Sequence, residues 1–184
     1  MSPPGPAAET LPLLGSARLW LAPLTLAQAA GVLGGSAPFR CAAGWPHEDT
    51  FMLLGAALAR GEEPTYTWLV RLRDPDDADP AIGALGLKSA PGPTRRAEIG
   101  YSLAPPWRGR GLGREAVAAL VGWAEARPDL ALLGAEVDAD NLPSRRLLEA
   151  LGFELVSVVG ARLWFERATP GPSPNVTRRT SEST

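Results

Sequence analysis

Residues 95–137 constrain the fold of this chain more than any other stretch. Arg95–Leu103 reads as a strand, and Pro105–Gly113 is a loop of Pro, Gly and Arg. An amphipathic helix then reaches about Arg127, and Leu130–Val137 returns to a strand. A strand followed by a crossover helix and a second strand is a βαβ unit, and its crossover makes the two strands parallel.

The segments around this unit read differently. Arg18–Leu24 is a short first strand. Thr25 then begins a helix, with Gln28 three residues on completing a capping-box pattern. Gly34 and Gly35 stop it. A second helix covers His47–Arg60, with Phe51, Leu54 and Leu58 expected on one face and Gly61 at its end. Thr65–Arg73, Ala81–Ser89 and Arg95–Leu103 are strands joined by a polar turn at Asp74–Pro80 and a breaker at Ala90–Pro93, an antiparallel meander. After the βαβ unit come a helix at Leu142–Leu151 and a hairpin, Phe153–Val159 and Ala161–Arg167, turning at Gly160. The economical architecture is α/β: a mixed, mostly antiparallel sheet of about seven strands with a central βαβ unit and helices on both faces. Residues 1–10 and 169–184 read as flexible tails, leaving residues 11–168 as a single domain.

Composition removes several kinds of chemistry. The one cysteine, Cys41, excludes an intrachain disulfide and a Cys-rich zinc site; the one histidine, His47, argues against a His-based metal centre or a Ser-His-Asp triad. No metal site is therefore expected. The formal net charge of −2 does not suit a nucleic-acid partner. No signal peptide or membrane span is legible, so the expected location is cytoplasmic.

Charge is distributed unevenly. Arg95–Arg114 carries five Arg and one Glu, net +4, so the rest of the chain carries −6. Within it lies Trp107-Arg108-Gly109-Arg110-Gly111-Leu112-Gly113-Arg114, between a strand and a helix. A helix N-terminus has unpaired N–H groups and partial positive charge, and glycines let a backbone close on an anion. This is a site for a small polyanionic cofactor. A dinucleotide fingerprint would need Gly or Ala where Arg114 stands, and a Walker loop needs a Lys that is absent, since Lys88 is the only one.

The remaining template, Arg/Gln-x-x-Gly-x-Gly/Ala, is met by Arg108–Gly113, and here the sequence resembles the GNAT N-acetyltransferase superfamily. Two further segments carry the likeness: Ala97–Leu103 before the loop, and Glu136–Ser144 followed by Leu151-Gly152-Phe153 after it. The likeness covers about Leu19–Arg167 and is closest to the branch that includes ribosomal-protein N-terminal acetyltransferases.

The resemblance implies a GNAT-like fold, acetyl-CoA as cofactor, and transfer of the acetyl group to a primary amine by direct attack in a ternary complex. It implies that Arg108, Gly109, Arg110, Gly111, Leu112, Gly113 and Arg114 hold the pyrophosphate. Tyr101, Ser102 and Leu103 line the pantetheine arm where two strands splay, with the Leu103 N–H on the thioester carbonyl. Asn141 and Ser144 face the cofactor. Glu98 is the implied base, its alternative being a surface pair with Arg95 or Arg96. Many relatives carry a Tyr one turn beyond the Ser position, and here that residue is Leu148. Protonation of the leaving thiolate then falls to Ser144 or a water. Asn141 and Ser144 also suit the first turn of a helix, Asn141 as its N-cap.

Among other residues, His47 reads as a surface or capping residue, Trp20, Trp68, Trp123 and Trp164 as core or interface, and Trp45 and Trp107 as cleft-lining. Residues 25–60 are expected to wall the acceptor side, and the direction of Glu136 is left open by strand parity. Two other classes stand beside the enzyme: a non-catalytic acyl-CoA-binding sensor or interaction module, and an Arg-rich RNA-binding domain that the acidic total disfavours. The acceptor's identity is open, and so is a homodimer.

Overall fold

The computed structural model describes residues 10–61, 65–73 and 79–169. The expected tails, save at their inner ends, and most of the Asp74–Pro80 turn lie outside the described residues. The strands are β1 (Leu14–Gly15), β2 (Leu19–Pro23), β3 (Thr67–Leu72), β4 (Ala81–Leu87), β5 (Arg96–Leu103), β6 (Leu132–Asp138), β7 (Glu154–Val159) and β8 (Arg162–Ala168). The helices are α1 (Leu26–Leu33), α2 (Glu48–Arg60), α3 (Leu112–Glu125) and α4 (Leu142–Ala150), with a 3₁₀ turn at Pro105–Trp107.

All eight strands form one sheet in the order β1-β2-β3-β4-β5-β6-β8-β7. The βαβ crossover puts β6 parallel to β5, and the other neighbours are antiparallel. The strand beyond the expected seven is β1, whose two residues are too few to show a period.

Side-chain alternation divides the core between the two faces of the sheet. Trp68 and Val70 of β3 and Ala97 and Ile99 of β5 pack with α3, which buries Leu112, Ala116, Val117, Leu120, Val121 and Ala124. Fully burying each such Val or Leu contributes ~1.5–3 kcal/mol. On the opposite face Leu69, Ala81 and Ala84 meet Ala29 and Val32 of α1 and Leu53 and Leu54 of α2. The capping box forms as read: Thr25 Oγ1 accepts from Gln28 N at 3.2 Å, and Gln28 Oε1 from Thr25 N at 3.0 Å. Such a cap is worth ~1 kcal/mol.

Two side-chain expectations are corrected. Helix α2 buries Thr50, Leu53, Leu54 and Ala57, while Phe51 is 43% exposed, so its inward face is rotated from the one expected. Trp45 is 4% exposed in the core beneath α1 and α2, with Phe39 against its ring, so it does not line a cleft. At the far edge, β7 leaves all six residues exposed, Leu155, Val156, Val158 and Val159 among them. Among the described residues no helix is long and apolar enough to cross a membrane.

Candidate functional site

Pairing between β5 and β6 is short. It runs from Arg96↔Leu132 to Glu98↔Gly134 and then ends, while β5 continues alongside β4 and β6 alongside β8. Lys88 N donates to Glu98 O at 2.7 Å and Ala104 N to Ile82 O at 2.9 Å, so the even-numbered residues of β5 bond to β4. By alternation, Tyr101 and Leu103 direct their backbone groups into the opening between β5 and β6.

The glycine loop lies at one end of that opening. Gly109 and Gly111 have φ of 72° and 76°, which an L side chain adopts only with strain. Gly111 is the N-cap of α3, and no side chain caps this helix. The N–H groups of its first turn are left to a ligand or to solvent, at the positive end of the helix dipole. Gly113 lets the turn sit close to the sheet: a Cβ there would lie 3.3 Å from Leu147 Cδ1 and 3.6 Å from Leu103 Cδ1.

From the loop a groove of about 530 Å³ runs between β5 and α4. Tyr101, Ser102, Leu103, Arg108, Gly109, Gly111, Gly113, Arg114, Asn141 and Ser144, all singled out in the sequence, line it. A helix start uncapped by any side chain, glycines in the left-handed region and the Arg108, Arg114 and Arg146 side chains fit a phosphate-bearing cofactor.

Four sequence-predicted residues fall elsewhere. Leu112 turns its side chain into the core, leaving only its backbone at the helix start. Arg110 lies over the Trp107 ring, 5.0 Å from its centroid, and its carbonyl accepts from Arg18 Nη1 at 3.1 Å. Glu98, on the α2 side of the sheet, is ion-paired with Lys88 rather than with Arg95 or Arg96, and lines neither the groove nor the cavity beside it. Trp107, expected to line the cleft, is partly buried between the two cores and lines neither.

The second cavity, about 380 Å³, lies between α2, β5 and β6. Met52, Leu53, Ala56 and Gly100 give it an apolar side. Asp49, Glu136 and Asp138 place carboxylates on it, opposed by Lys88 and Arg162. This resolves the direction of Glu136, which faces the cavity with Arg162 Nη1 3.3 Å from its Oε1. The α2 residues here belong to the expected acceptor-side wall.

Asp49, Tyr101, Asn141 and Ser144 border both groove and cavity. Asn141 caps α4, its Oδ1 accepting from Ser144 N at 3.2 Å. Tyr101 Oη is enclosed and makes no well-formed hydrogen bond among the described residues; the hydroxyl that interacts with it is that of Ser144. Burial pushes the phenol above its ordinary pKa, and Ser144 draws it partly back. Arg108 joins the loop to the start of α2: Nε donates to Leu103 O at 2.7 Å, and Nη2 reaches His47 Nε2 at 3.1 Å and Asp49 Oδ2 at 3.2 Å. His47 sits at the N-cap position of α2, but its side chain does not cap it.

The sequence did not single out Asp49, Met52, Asp138, Arg146 or Arg162. Asp49 and Met52 fall within the expected acceptor-side wall and Asp138 within the Glu136–Ser144 segment, but nothing in the sequence marks these side chains, and Arg146, two residues past Ser144, is not on its helix face. They come from α2, α4 and the strands beyond β5, and only tertiary packing brings them to the site.

A family model described as an acetyltransferase (GNAT) domain matches residues 18–154. An uncharacterized N-acetyltransferase of Bacillus subtilis (strain 168), YoaA, is 32% identical over 110 residues, 59% of each chain. The match thus spans less than two thirds of that relative's length. The fold is shared with an acetyltransferase from Agrobacterium tumefaciens, with TM-score 0.62 and 24% identity over 89% of this chain and 98% of that one. It is shared too with RimL, a ribosomal-protein alpha-N-acetyltransferase solved in complex with coenzyme A: TM-score 0.58 and 17% identity over 85% of this chain and 98% of that one.

Proposed function

Because this chain belongs to the GNAT acetyltransferase-domain family, we propose that it transfers an acetyl group from acetyl-CoA to a primary amine by direct attack in a ternary complex. The acceptor would be a peptide or protein N-terminus or a small amine. The observation that carries this reading is the meeting of two cavities at Asp49, Tyr101, Asn141 and Ser144, where β5 and β6 part. One cavity is built for phosphate, and the other sets three carboxylates against two cations, a small acidic excess that suits a cationic amine.

When bound, acetyl-CoA supplies the thioester carbonyl that is attacked and the thiol that departs. The first-turn N–H groups of α3, with Arg108 and Arg114, hold its pyrophosphate. Leu103 N–H, directed into the opening, donates to the thioester oxygen, and one such donor contributes ~2.7–4 kcal/mol to transition-state stabilisation. Ser144 donates to sulfur, and Asn141 fixes the turn that carries Ser144. Cys41 lines neither cavity, in keeping with direct attack rather than a cysteine-bound intermediate.

A free α-amine has pKa ~7.7–8.0 and an alkylamine ~10.4, so near pH 7 roughly one in ten of the first and under one in a thousand of the second are neutral. Glu98 is our base, taking the proton through a water beside its Lys88 partner, which borders the acceptor cavity. The reading carries a cytoplasmic location. A homodimer would have a surface to use in the exposed apolar strand β7.

The test is coenzyme A binding by calorimetry, followed by thiol release from acetyl-CoA with N-terminal peptides, polyamines and aminoglycosides. Micromolar binding and amine-dependent thiol release are expected. Tight binding without transfer to any amine would leave a sensor, and no binding would refute the site.

A further inference from the structure

A sulfur that leaves carbon as thiolate needs a proton, and the residues bordering both cavities limit what can give one. Of the four, Asp49 is held by Arg108 and, when ionised, only accepts. Asn141 is committed through Oδ1 to the cap of α4. Tyr101 and Ser144 carry the hydroxyls. Helix α4 offers no phenol of its own: Leu148, one turn beyond Ser144, is fully buried in the core.

Tyr101 reaches the junction from another element. It projects from β5, at the point where the strand has lost β6 as a neighbour, and its Oη is sealed from solvent, makes no well-formed hydrogen bond among the described residues, and has the Ser144 hydroxyl as the one group interacting with it. Buried hydroxyls are normally satisfied, and an unsatisfied one at the mouth of two cavities marks a group that finds its partner in the loaded site. The chain's other tyrosine, Tyr66, packs beside Trp123 and lines neither cavity.

We propose that Tyr101 is the acid of the reaction, passing a proton through Ser144 to the departing sulfur. The step rests on the acetyl-transfer reading. As the amine nitrogen bonds to the carbonyl carbon and the C–S bond breaks, the bonding pair leaves with sulfur. Ser144 Oγ gives its proton to sulfur and takes one from Tyr101 Oη. The proton shed by the nitrogen passes to the base and then to solvent, and once the products leave, solvent in the emptied groove returns one to Tyr101 through Ser144, so one proton is lost from nitrogen and one gained by sulfur. An ordinary phenol, of pKa ~10, is protonated near neutral pH, so Tyr101 holds its proton ready at each turnover.

The test is Tyr101→Phe, which retains the ring, beside Ser144→Ala and the double variant. Tyr101→Phe should lower kcat about 10²-fold, with the KM for acetyl-CoA, the calorimetric Kd for coenzyme A and the melting temperature close to wild type. The double variant should be no slower than the slower single one, since the two act in series. A readout independent of turnover comes from there being only two tyrosines. Coenzyme A should perturb the near-ultraviolet phenol absorption of wild type and of Tyr66→Phe, and leave that of Tyr101→Phe unchanged. A Tyr101→Phe enzyme with undiminished kcat, multiplicative losses in the double variant, or a phenol band indifferent to coenzyme A would each overturn the proposal while acetyl transfer itself stood. A wild type that neither binds coenzyme A nor transfers acetyl would remove both.

Discussion

Arg18 and Glu115 join the residue just before β2 to the first turn of α3: Arg18 Nε donates to Glu115 Oε2 at 2.7 Å and Arg18 N to Oε1 at 2.7 Å. Ser16 Oγ adds a bond to Oε1 at 2.6 Å, and Arg18 Nη1 continues to the Arg110 carbonyl within the glycine loop. The pair therefore sits behind the loop and braces it without bordering the groove.

Removing that brace should weaken cofactor binding from a distance. Arg18 is half exposed, which limits such a pair to ~1 kcal/mol. Arg18→Ala should accordingly raise the coenzyme A Kd about fivefold, with kcat at saturation nearly unchanged. Calorimetry and saturation kinetics check this, and an unaltered Kd would show that the loop holds its shape unaided.

The same cluster predicts an acid-side loss of stability. Burial raises the Glu115 pKa, but hydrogen bonds from Ser16 and Arg18 and the Arg18 charge outweigh it, so the carboxyl lies below its ordinary 4.5. The unfolded chain takes up this proton first, so the contribution is present above pH 4.5 and lost as pH falls through the lower folded value. Thermal melts of Glu115→Gln and wild type should differ near neutrality and converge in acid.

Gly111 is a conformational requirement. A Cβ there meets only Arg18 Nη2 at 3.5 Å, yet φ of 76° costs an L residue ~1–2 kcal/mol. Gly111→Val should release that strain by turning the peptide of the loop, moving the N–H groups that face the groove. Coenzyme A binding should fall by more than about tenfold, with circular dichroism unchanged. Binding at wild-type strength would place the pyrophosphate elsewhere.

Glu98 as base gives a kinetic signature. Glu98→Gln should lower kcat/KM for an alkylamine about 10²-fold near pH 7, and the deficit should shrink toward pH 10, where the amine sheds its own proton. A pH–rate profile parallel to wild type would take Glu98 out of the reaction and turn attention to Glu136, whose carboxylate borders the acceptor cavity directly.

Local signals carried the fold into view. The capping box at Thr25 and Gln28 and the stop at Gly61 are contacts within a few residues, and the βαβ crossover follows from order along the chain. The glycine loop was legible because Gly109 and Gly111 are needed for their own backbone geometry. Direction and partnership were not legible. Phe51 and Leu53 are both apolar, and only the sheet beneath α2 decides that Leu53 is inside. Glu98 pairs with Lys88 ten residues away because β4 and β5 are hairpin neighbours in that register, which nothing near Glu98 announces. Tyr101 reads in the sequence only as part of the pantetheine lining, since parity along β5 does not reveal that its hydroxyl ends beside Ser144.

His47 gives the site a dependence on mild acid. Its Nε2 faces Arg108 Nη2 at 3.1 Å and its Nδ1 lies 3.1 Å from Thr50 Oγ1, so the neutral ring accepts from Arg108 and donates to Thr50. Burial first, and the Arg108 charge second, lower its pKa below 6.5, with Asp49 opposing. Both states are neutral at high pH. As pH falls through 6.5 the unfolded chain protonates first, so folded stability declines with it and does not return below the folded pKa. A proton on Nε2 sets two cations together and frees Arg108 from His47, loosening its hold on Leu103 O at the mouth of the groove. The acetyl-CoA KM of wild type should therefore rise roughly threefold as pH falls through the ring's folded pKa, which lies below 6.5, the size of one exposed polar contact. Replacement by Gln, which offers an acceptor but does not titrate, should flatten that rise. A variant whose KM climbs with acid as steeply as wild type would assign the dependence to other groups.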